Sequence, residues 1–157
     1  MSRIVAAIDN SPAARPVLSV ALALAPVLGA EVEAVHVADE EGDTAAAVAD
    51  SMGVPYRVLP GDEPLPAILA HATDDDVTMV VVGARRRLQS SGLGHLAGQI
   101  AESLDKPVVV VPPETRPMDR LQRVVIALEA TPAKARSLTG VIDVAAGAEL
   151  DIVVVHV

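Results

Sequence analysis

Cysteine, phenylalanine and tryptophan are absent from this chain of 157 residues, and Tyr56 is its only tyrosine. Without cysteine there is no disulfide framework, no thiolate zinc site and no cysteine nucleophile. Without a set of aromatic rings there is no platform on which the bases of single-stranded nucleic acid would stack. The core must therefore be aliphatic, and the hydrophobic content of 51% is high enough to exclude disorder as the main state.

Positive charge is also scarce, because 12 Lys and Arg stand against 21 Asp and Glu, for a net charge of -9. Such a chain has no general attraction for nucleic acid or for an anionic membrane, so any phosphate must be held by a local device. The longest uncharged stretch, Pro16–Ala30, contains two prolines and is too short to span a bilayer. The first apolar run, Ile4–Ile8, is too short for a signal peptide. We expect a soluble cytoplasmic protein with no nucleic-acid or membrane partner.

Short runs of β-branched residues alternate with segments of helical periodicity. Two of these runs are unbroken valine-rich stretches, which is typical of strands buried on both faces of a parallel sheet. The alternation predicts an α/β fold with a doubly wound, five-stranded parallel sheet and right-handed crossovers. The predicted strands are Ile4–Ile8, Val32–Val37, Val54–Leu59, Met79–Val82 and Val108–Val111.

The segments between the strands carry apolar residues at helical spacing. The first helix is predicted to begin with Ser11 as the N-cap and Pro12 at the first helical position, and to end near Gly29. Three further stripes predict helices within Ala45–Met52, Leu65–Ala72 and Leu93–Leu104.

The start of the chain is repeated after a proline-rich segment. Arg3–Pro12 resembles Arg123–Pro132, and at the same spacing His36–Val37 matches His156–Val157. We therefore predict a domain over residues 1–113, a linker over 114–121, and the first β-α-β of a second, incomplete copy over 122–157. A β-α-β unit alone leaves its strands uncovered, so we expect a truncated tandem protein whose half-repeat is sheltered in a homo-oligomer.

Several candidate site residues end predicted strands. Asp9 follows the first strand, Val37 ends the second and Gly83 ends the fourth, while a glycine-containing stretch, Ser90–Gln99, leads into the fourth helix. In an open doubly wound sheet, ligands bind at the carboxyl ends of the strands, at the point where strand order reverses. These positions are therefore predicted to meet at one crevice.

Five segments, in order along the chain, match the pattern of a known family: Ile8–Ser11, Val35–Val37, Val80–Arg86, Gly98–Leu104 and Lys106–Val111. On these segments the sequence resembles the universal stress protein family. The resemblance covers residues 1 to about 113, and again the part from about Arg120. It implies a five-stranded parallel sheet with helices on both sides, dimers joined partly through the last strand, and, in some members, ATP bound by Gly-x-x-Gly, nine residues, and Gly-Ser or Gly-Thr.

The resemblance also implies ligand-contacting positions. Asp9 matches an adenosine-contacting aspartate, and Ala7 and Val37 match positions that line the adenine pocket. The remaining ligand-contacting positions fall on Val82, Gly83, Gly98, Gln99 and Ile100.

The phosphate motif of the family is altered in this chain. Arg86 stands at the second glycine, Gln99 stands at the hydroxyl, and the segment from Gly83 to Gly98 is two residues longer than the pattern. The arginines at 85–87 would offer guanidinium contacts to phosphate instead. The implied ligand is ATP or AMP, with magnesium only alongside a bound nucleotide and through the acidic residues that follow the second strand.

We therefore predict a stress-response protein without enzymatic activity, which binds an adenine nucleotide and acts through dimerisation. The alternative is a nucleotide-free protein-interaction module of the same family. Each candidate also has a purely structural interpretation: Asp9 as an acceptor for the turn at Ser11, the glycines at 92, 94 and 98 as packing positions, and the aspartates at 74–76 as a solvated turn. His36 and His156 are predicted to be core residues, and no catalytic or metal-binding residue is predicted.

Overall fold

The chain forms strands and helices in strict alternation up to its fifth strand. A computed structural model describes residues 1–38, 42–84, 95–128 and 139–156. The first nine elements in it are β1 Ser2–Ala7, α1 Ala14–Leu28, β2 Ala30–Val37, α2 Thr44–Ser51, β3 Tyr56–Leu59, α3 Pro64–Ala72, β4 Val77–Gly83, α4 His95–Ser103 and β5 Val108–Val111. A second unit then follows, with β6 Arg123–Leu128, α5 Thr139–Gly147 and β7 Asp151–His156.

The first five strands form one parallel sheet in the order β3-β2-β1-β4-β5. The chain first moves outward from β1 to β3, then crosses back to β4 and continues to β5. Strand order therefore reverses between β1 and β4, which makes their carboxyl ends the switch point of the sheet. The predicted doubly wound, five-stranded α/β fold is confirmed.

Two apolar layers cover the two faces of this sheet. On one face, Ile4 and Val81 pack against Leu18 of α1. On the other face, Val5 and Val80 pack with residues of α3 and α4, among them Ile100. Both faces of a strand are buried in this arrangement, which is why the central strands consist of continuous aliphatic residues.

Helix α1 begins later than the sequence predicts. Ser11 was expected to be its N-cap, but the helix starts at Ala14, and the Ser11 hydroxyl instead accepts the N–H of Ala13 at 3.2 Å in the turn before it. The predicted end is confirmed, since Gly29 terminates the helix in the left-handed conformation with φ of 57°. None of the helices in the described ranges is long and apolar enough to cross a lipid bilayer.

The second unit is a parallel β-α-β whose two strands pair from Arg123 opposite Asp151 to Leu128 opposite His156. The segment that leads to it is fixed to α1 by buried Ser19. The Ser19 hydroxyl donates to the Met118 carbonyl oxygen at 3.0 Å and accepts the Met118 N–H at 2.7 Å. The chain between the two units is therefore anchored to the first domain at Met118.

Candidate functional site

The switch point of the sheet is built from the last residues of β1 and β4. Ala7 and Val82 are direct partners in the ladder that joins these strands. Backbone bonds fix both strand ends, because Ile8 N–H donates to Val35 O at 2.9 Å and Ala84 N–H donates to Val111 O at 2.8 Å. The carboxyl edge is therefore held rigidly on both sides of the crossover.

Asp9 lies at this edge, in the turn between β1 and α1. Its Oδ1 accepts the backbone N–H of Ser11 at 3.1 Å and also the Ser11 hydroxyl. This is the structural role that the sequence allowed for Asp9, and it fixes the carboxylate at the end of β1, where a ligand would meet it.

Three of the predicted ligand-contacting positions belong to a single apolar layer. Ala7, Val37 and Val82 are all buried, and they pack in the same cluster as Ala97 and Ile100 of α4. The sheet and α4 therefore bring these residues together below the carboxyl edge. Ile100 is fully buried, so in this structure it packs α4 against the sheet and exposes no atom to a ligand.

The two glycines assigned to the site have different surroundings. A Cβ on Gly83 would lie 3.3 Å from Val17 Cγ2 and 3.8 Å from Ala13 Cβ, so this glycine lets the start of α1 approach the end of β4. A Cβ on Gly98 would meet nothing within 4 Å among the described residues outside its own helix backbone. Close helix packing therefore explains Gly83 and does not explain Gly98, whereas Gly92 and Gly94 lie outside the described residues.

Arg86 also lies outside the described residues, as do the arginines at 85 and 87 and the acidic residues at 39–41. Gln99 is half-buried in the first half of α4. Helices α1, α2, α3 and α4 each follow the carboxyl end of a strand, so the positive ends of their dipoles lie at the edge where an anion would bind.

Sequence analysis missed Asn10, which follows Asp9 directly. Its amide Nδ2 donates to the Gly42 carbonyl oxygen at 2.8 Å, and its Oδ1 accepts the Ala45 N–H at 2.8 Å. The sequence signal was weak: an amide side chain, which offers both donors and an acceptor, directly after Asp9 in the strand-to-helix turn.

A second missed feature is an ion-pair network at the opposite, amino end of the sheet. Buried Glu33 accepts from Arg3 Nη1 at 2.7 Å, from Arg57 Nε at 2.8 Å and from His71 Nε2 at 2.8 Å. Arg3 also contacts Asp74 and Asp76, so these two aspartates have ion-pair partners and are not simply solvated. The charged Glu33 inside an apolar strand was the available signal.

His36 is a core residue, as predicted, because it is buried and its Nδ1 donates to the Ile8 carbonyl oxygen at 3.0 Å. The side chain of His156 lies outside the described set. Within residues 1–38, 42–84, 95–128 and 139–156, no group of three or more His, Cys, Asp or Glu side chains is arranged to hold a metal ion.

A separate groove of about 540 Å³ lies between the carboxyl half of α1 and the start of the second unit. Its lining includes Ala23, Val27, Arg120 and Leu150. None of the predicted ligand-contacting residues lines it. We locate the candidate site at the switch point, because the sheet topology and the polar turn at Asp9 coincide there. The groove is lined by cationic, anionic and apolar residues, and this mixture favours no single class of ligand.

Comparisons with known proteins point to one family. The model of the universal stress protein family matches residues 1–59, which end with the last residue of β3. No curated protein matches the chain.

Solved structures share the fold. A universal stress protein from Archaeoglobus fulgidus is 25% identical over 71% of this chain and 98% of its own, with a TM-score of 0.53. A universal stress protein solved in complex with cAMP is 18% identical over 72% of this chain and 98% of its own, with a TM-score of 0.57. The Archaeoglobus fulgidus protein in complex with dAMP is 24% identical over 71% of this chain and 97% of its own, with a TM-score of 0.52.

Proposed function

We propose that this chain is a universal stress protein-like stress-response protein that binds an adenine nucleotide at the carboxyl edge between β1 and β4. The observation that carries the proposal is the pairing of Ala7 with Val82 at the switch point, directly before the fixed carboxylate of Asp9. Ligands of open α/β sheets bind in this crevice, and apolar walls with few polar groups are typical of small-molecule sites.

The residues present fit the parts of an adenosine monophosphate. The apolar Ala7, Val37 and Val82 suit the base, and the Asp9 carboxylate suits a ribose hydroxyl donor. Among the described residues, and apart from the backbone of its own helix, nothing lies within 4 Å of a Cβ position on Gly98, which supports space for a ligand there. Two proteins of this fold are solved with cAMP and with dAMP, which supports an adenine ligand with one phosphate.

Phosphate binding would depend on residues other than a complete glycine motif. We propose that Gln99 and Arg86 supply amide and guanidinium donors, with ATP or AMP as ligand and magnesium only with a bound nucleotide. Binding, and not turnover, is the proposed activity.

The test combines calorimetry with a matched pair of glycine variants. The unmodified protein is titrated with AMP and with ATP, and ligand released from freshly purified protein is identified by mass spectrometry. Gly98→Ala adds a methyl group inside α4, so it should stabilise the free protein by about 1 kcal/mol and weaken AMP binding. Gly147→Ala at the end of α5 also meets nothing within 4 Å, and it should leave AMP affinity unchanged.

The alternative is a nucleotide-free interaction module, and the surroundings of Gly83 favour it. Contact with Val17 and Ala13 accounts for this glycine without any ligand. If no adenine compound is released and titration with AMP or ATP gives no heat at millimolar concentration, the nucleotide proposal fails and the interaction module is the better function.

We further propose that β6-α5-β7 begins a second copy of the fold, with boundaries at 1–113, 114–121 and 122–157, and that the protein acts as a dimer. The strand register supports the repeat, because Arg3 opposite Glu31 in the first unit corresponds to Arg123 opposite Asp151 in the second. Light scattering after size-exclusion chromatography tests the assembly, and a monomer at all concentrations would contradict the dimer.

A further inference from the structure

Asn10 connects two turns at the carboxyl edge of the sheet. It lies in the β1–α1 turn, and two of its side-chain bonds reach Gly42, just before α2, and Ala45 in the first turn of α2. The amide group donates to one residue and accepts from another, each at 2.8 Å. Among side chains of this length, only asparagine offers a donor and an acceptor on the same planar group.

Helix α2 depends on this contact for its N-terminal capping bond. Asp43 occupies the N-cap position and makes no side-chain capping bond. The Asn10 Oδ1 supplies the missing acceptor to the second helical residue, Ala45. The helix has eight residues, of which only Ala45 and Ala49 are buried, so a helix this short and weakly packed gains much from a cap.

The same turn holds the residue that faces the proposed ligand. Asp9 fixes Ser11 on one side of Asn10, and Asn10 fixes Gly42 and Ala45 on the other. Helix α2 is the element that follows β2. The last residue of β2 is Val37, one of the three apolar residues proposed for the base. A change at Asn10 therefore loosens the Asp9 turn and the start of α2 together.

We propose that Asn10 is a positioning residue for the adenine-binding edge, because it ties the start of α2 to the turn that carries Asp9. The inference rests on the proposed function and deepens it. Asn10 acts on the base and ribose side of the crevice. Its loss therefore lowers the affinity for adenosine and the affinity for AMP by the same factor, whatever the phosphate contributes to AMP binding.

The first measurement is amide hydrogen exchange in the free protein, which needs no ligand. In Asn10→Ala, amides in the first turn of α2 should exchange about fivefold faster, the effect of losing one hydrogen bond. Asn10→Asp keeps the acceptor for Ala45 and loses the donor to Gly42, so α2 should keep most of its protection. Unchanged exchange in Asn10→Ala would overturn the link to α2.

The second measurement is the affinity for adenosine, a neutral probe on which the added charge of Asn10→Asp has little effect, and for AMP. Asn10→Ala should weaken both ligands about fivefold, and Asn10→Asp should weaken adenosine less. The control is Ser51→Ala at the other end of α2, where the hydroxyl donates to Val48 O at 2.8 Å and accepts from Arg15 Nη2 at 3.1 Å. It should loosen the end of α2 and leave both affinities unchanged.

The outcomes separate this inference from the proposed function. If the unmodified protein binds adenosine and Asn10→Ala binds it equally well, the positioning role is wrong and the proposed function stands. If Asn10→Ala and Ser51→Ala weaken binding alike, α2 stability alone matters, and the specific role of Asn10 is wrong. If the unmodified protein binds neither probe, the proposed function fails and the positioning role fails with it, while hydrogen exchange still tests the structural link.

Discussion

The two β-α-β units of this chain share their strand register and differ in burial. Val5 in β1 and Val35 in β2 are 0% and 1% exposed, whereas their counterparts in the second unit, Val125 and Val155, are 61% and 44% exposed. At or next to the start of the paired strands in both units, an arginine lies opposite an acidic residue. The same local pattern has therefore produced the same local structure in two different environments.

The difference comes from elements far away in the sequence. In the first unit, α3 and α4 cover the face that carries Val5 and Val35, and β4 occupies the free edge of β1. Within the described residues, no such helices cover the corresponding face of β6 and β7. Alternation of strand and helix thus specifies a β-α-β unit, and only the remainder of a doubly wound sheet buries both of its faces.

The largest expected difference between the units is the response to a charge at matched valines. Val5→Asp places an unpaired carboxylate in the core and should destabilise the protein by about 4 kcal/mol or more, enough to unfold many domains. Val125→Asp leaves the carboxylate in water and should change the free energy of unfolding by less than about 1 kcal/mol. Urea denaturation followed by circular dichroism measures both.

A large loss of stability in Val125→Asp would contradict this comparison. It would mean that the exposed face of β6 and β7 is covered in solution, as the proposed dimer allows. Light scattering of the same variant distinguishes a face covered by a second copy of the chain from a face exposed to solvent. If a second copy covers the face, the added charge should convert the dimer into a monomer.

The ion pairs of the two units should also differ in their effects on stability. Glu33→Ala leaves Arg3, Arg57 and His71 without their shared acceptor in a largely buried site, and should cost about 3 kcal/mol. Asp151→Ala removes only the exposed contact of Asp151 with Arg123, whose side chains are 68% and 62% exposed, and should cost about 0.5 kcal/mol. Thermal unfolding of both variants, with unmodified protein alongside, gives the two values; equal losses would show that burial does not set the strength of these pairs.

The sequence was sufficient to predict the sheet, because short runs rich in β-branched residues alternate with segments that have a regular apolar stripe, and two of the runs, Met79–Val82 and Val108–Val111, are unbroken aliphatics. It predicted the wrong start for α1 because Ser11-Pro12 is a common N-cap pattern. In the structure, side-chain bonds between Asp9 and Ser11 form a turn first, and the helix begins at Ala14.

The candidate site was less predictable than the fold. The partners of Asn10 are Gly42 and Ala45, which only the three-dimensional arrangement of neighbouring turns brings within reach. The same is true of the glycines, because both Gly83 and Gly98 were predicted from the sequence to contact a ligand. Only the 3.3 Å distance between a Cβ built on Gly83 and Val17 Cγ2 shows that Gly83 is a packing position. Contacts between distant turns depend on chain topology and side-chain placement, which periodicity does not encode.

A smaller effect is expected where the two units are joined. Ser19→Ala removes the hydroxyl that both donates to and accepts from Met118. Leaving these two partly buried backbone groups unpaired should cost about 1.5 kcal/mol, and it should increase hydrogen exchange in residues 116–122 more than in β1. If exchange rises equally throughout the chain, the anchor at Met118 stabilises the whole domain and does not hold the second unit in particular.

The last comparison concerns a left-handed residue at or just after the end of the helix in each unit. Gly29 ends α1 with φ of 57°, and Glu149, which follows α5, has φ of 56° although it carries a side chain. Left-handed backbone is strained by about 1 kcal/mol for residues with a Cβ and is not strained for glycine. Gly29→Ala should therefore lower the free energy of unfolding by about 1 kcal/mol, and Glu149→Gly should recover most of that amount in the second unit.

Gly29→Ala isolates backbone strain, because a Cβ on Gly29 would meet nothing within 4 Å among the described residues outside its own helix backbone. Hydrogen exchange of the last turn of each helix localises the effect, so that Gly29→Ala speeds exchange in α1 and Glu149→Gly slows it in α5. If Glu149→Gly instead speeds exchange in α5, the glutamate side chain contributes more through its own contacts than its backbone costs, and the two units end their helices by different means.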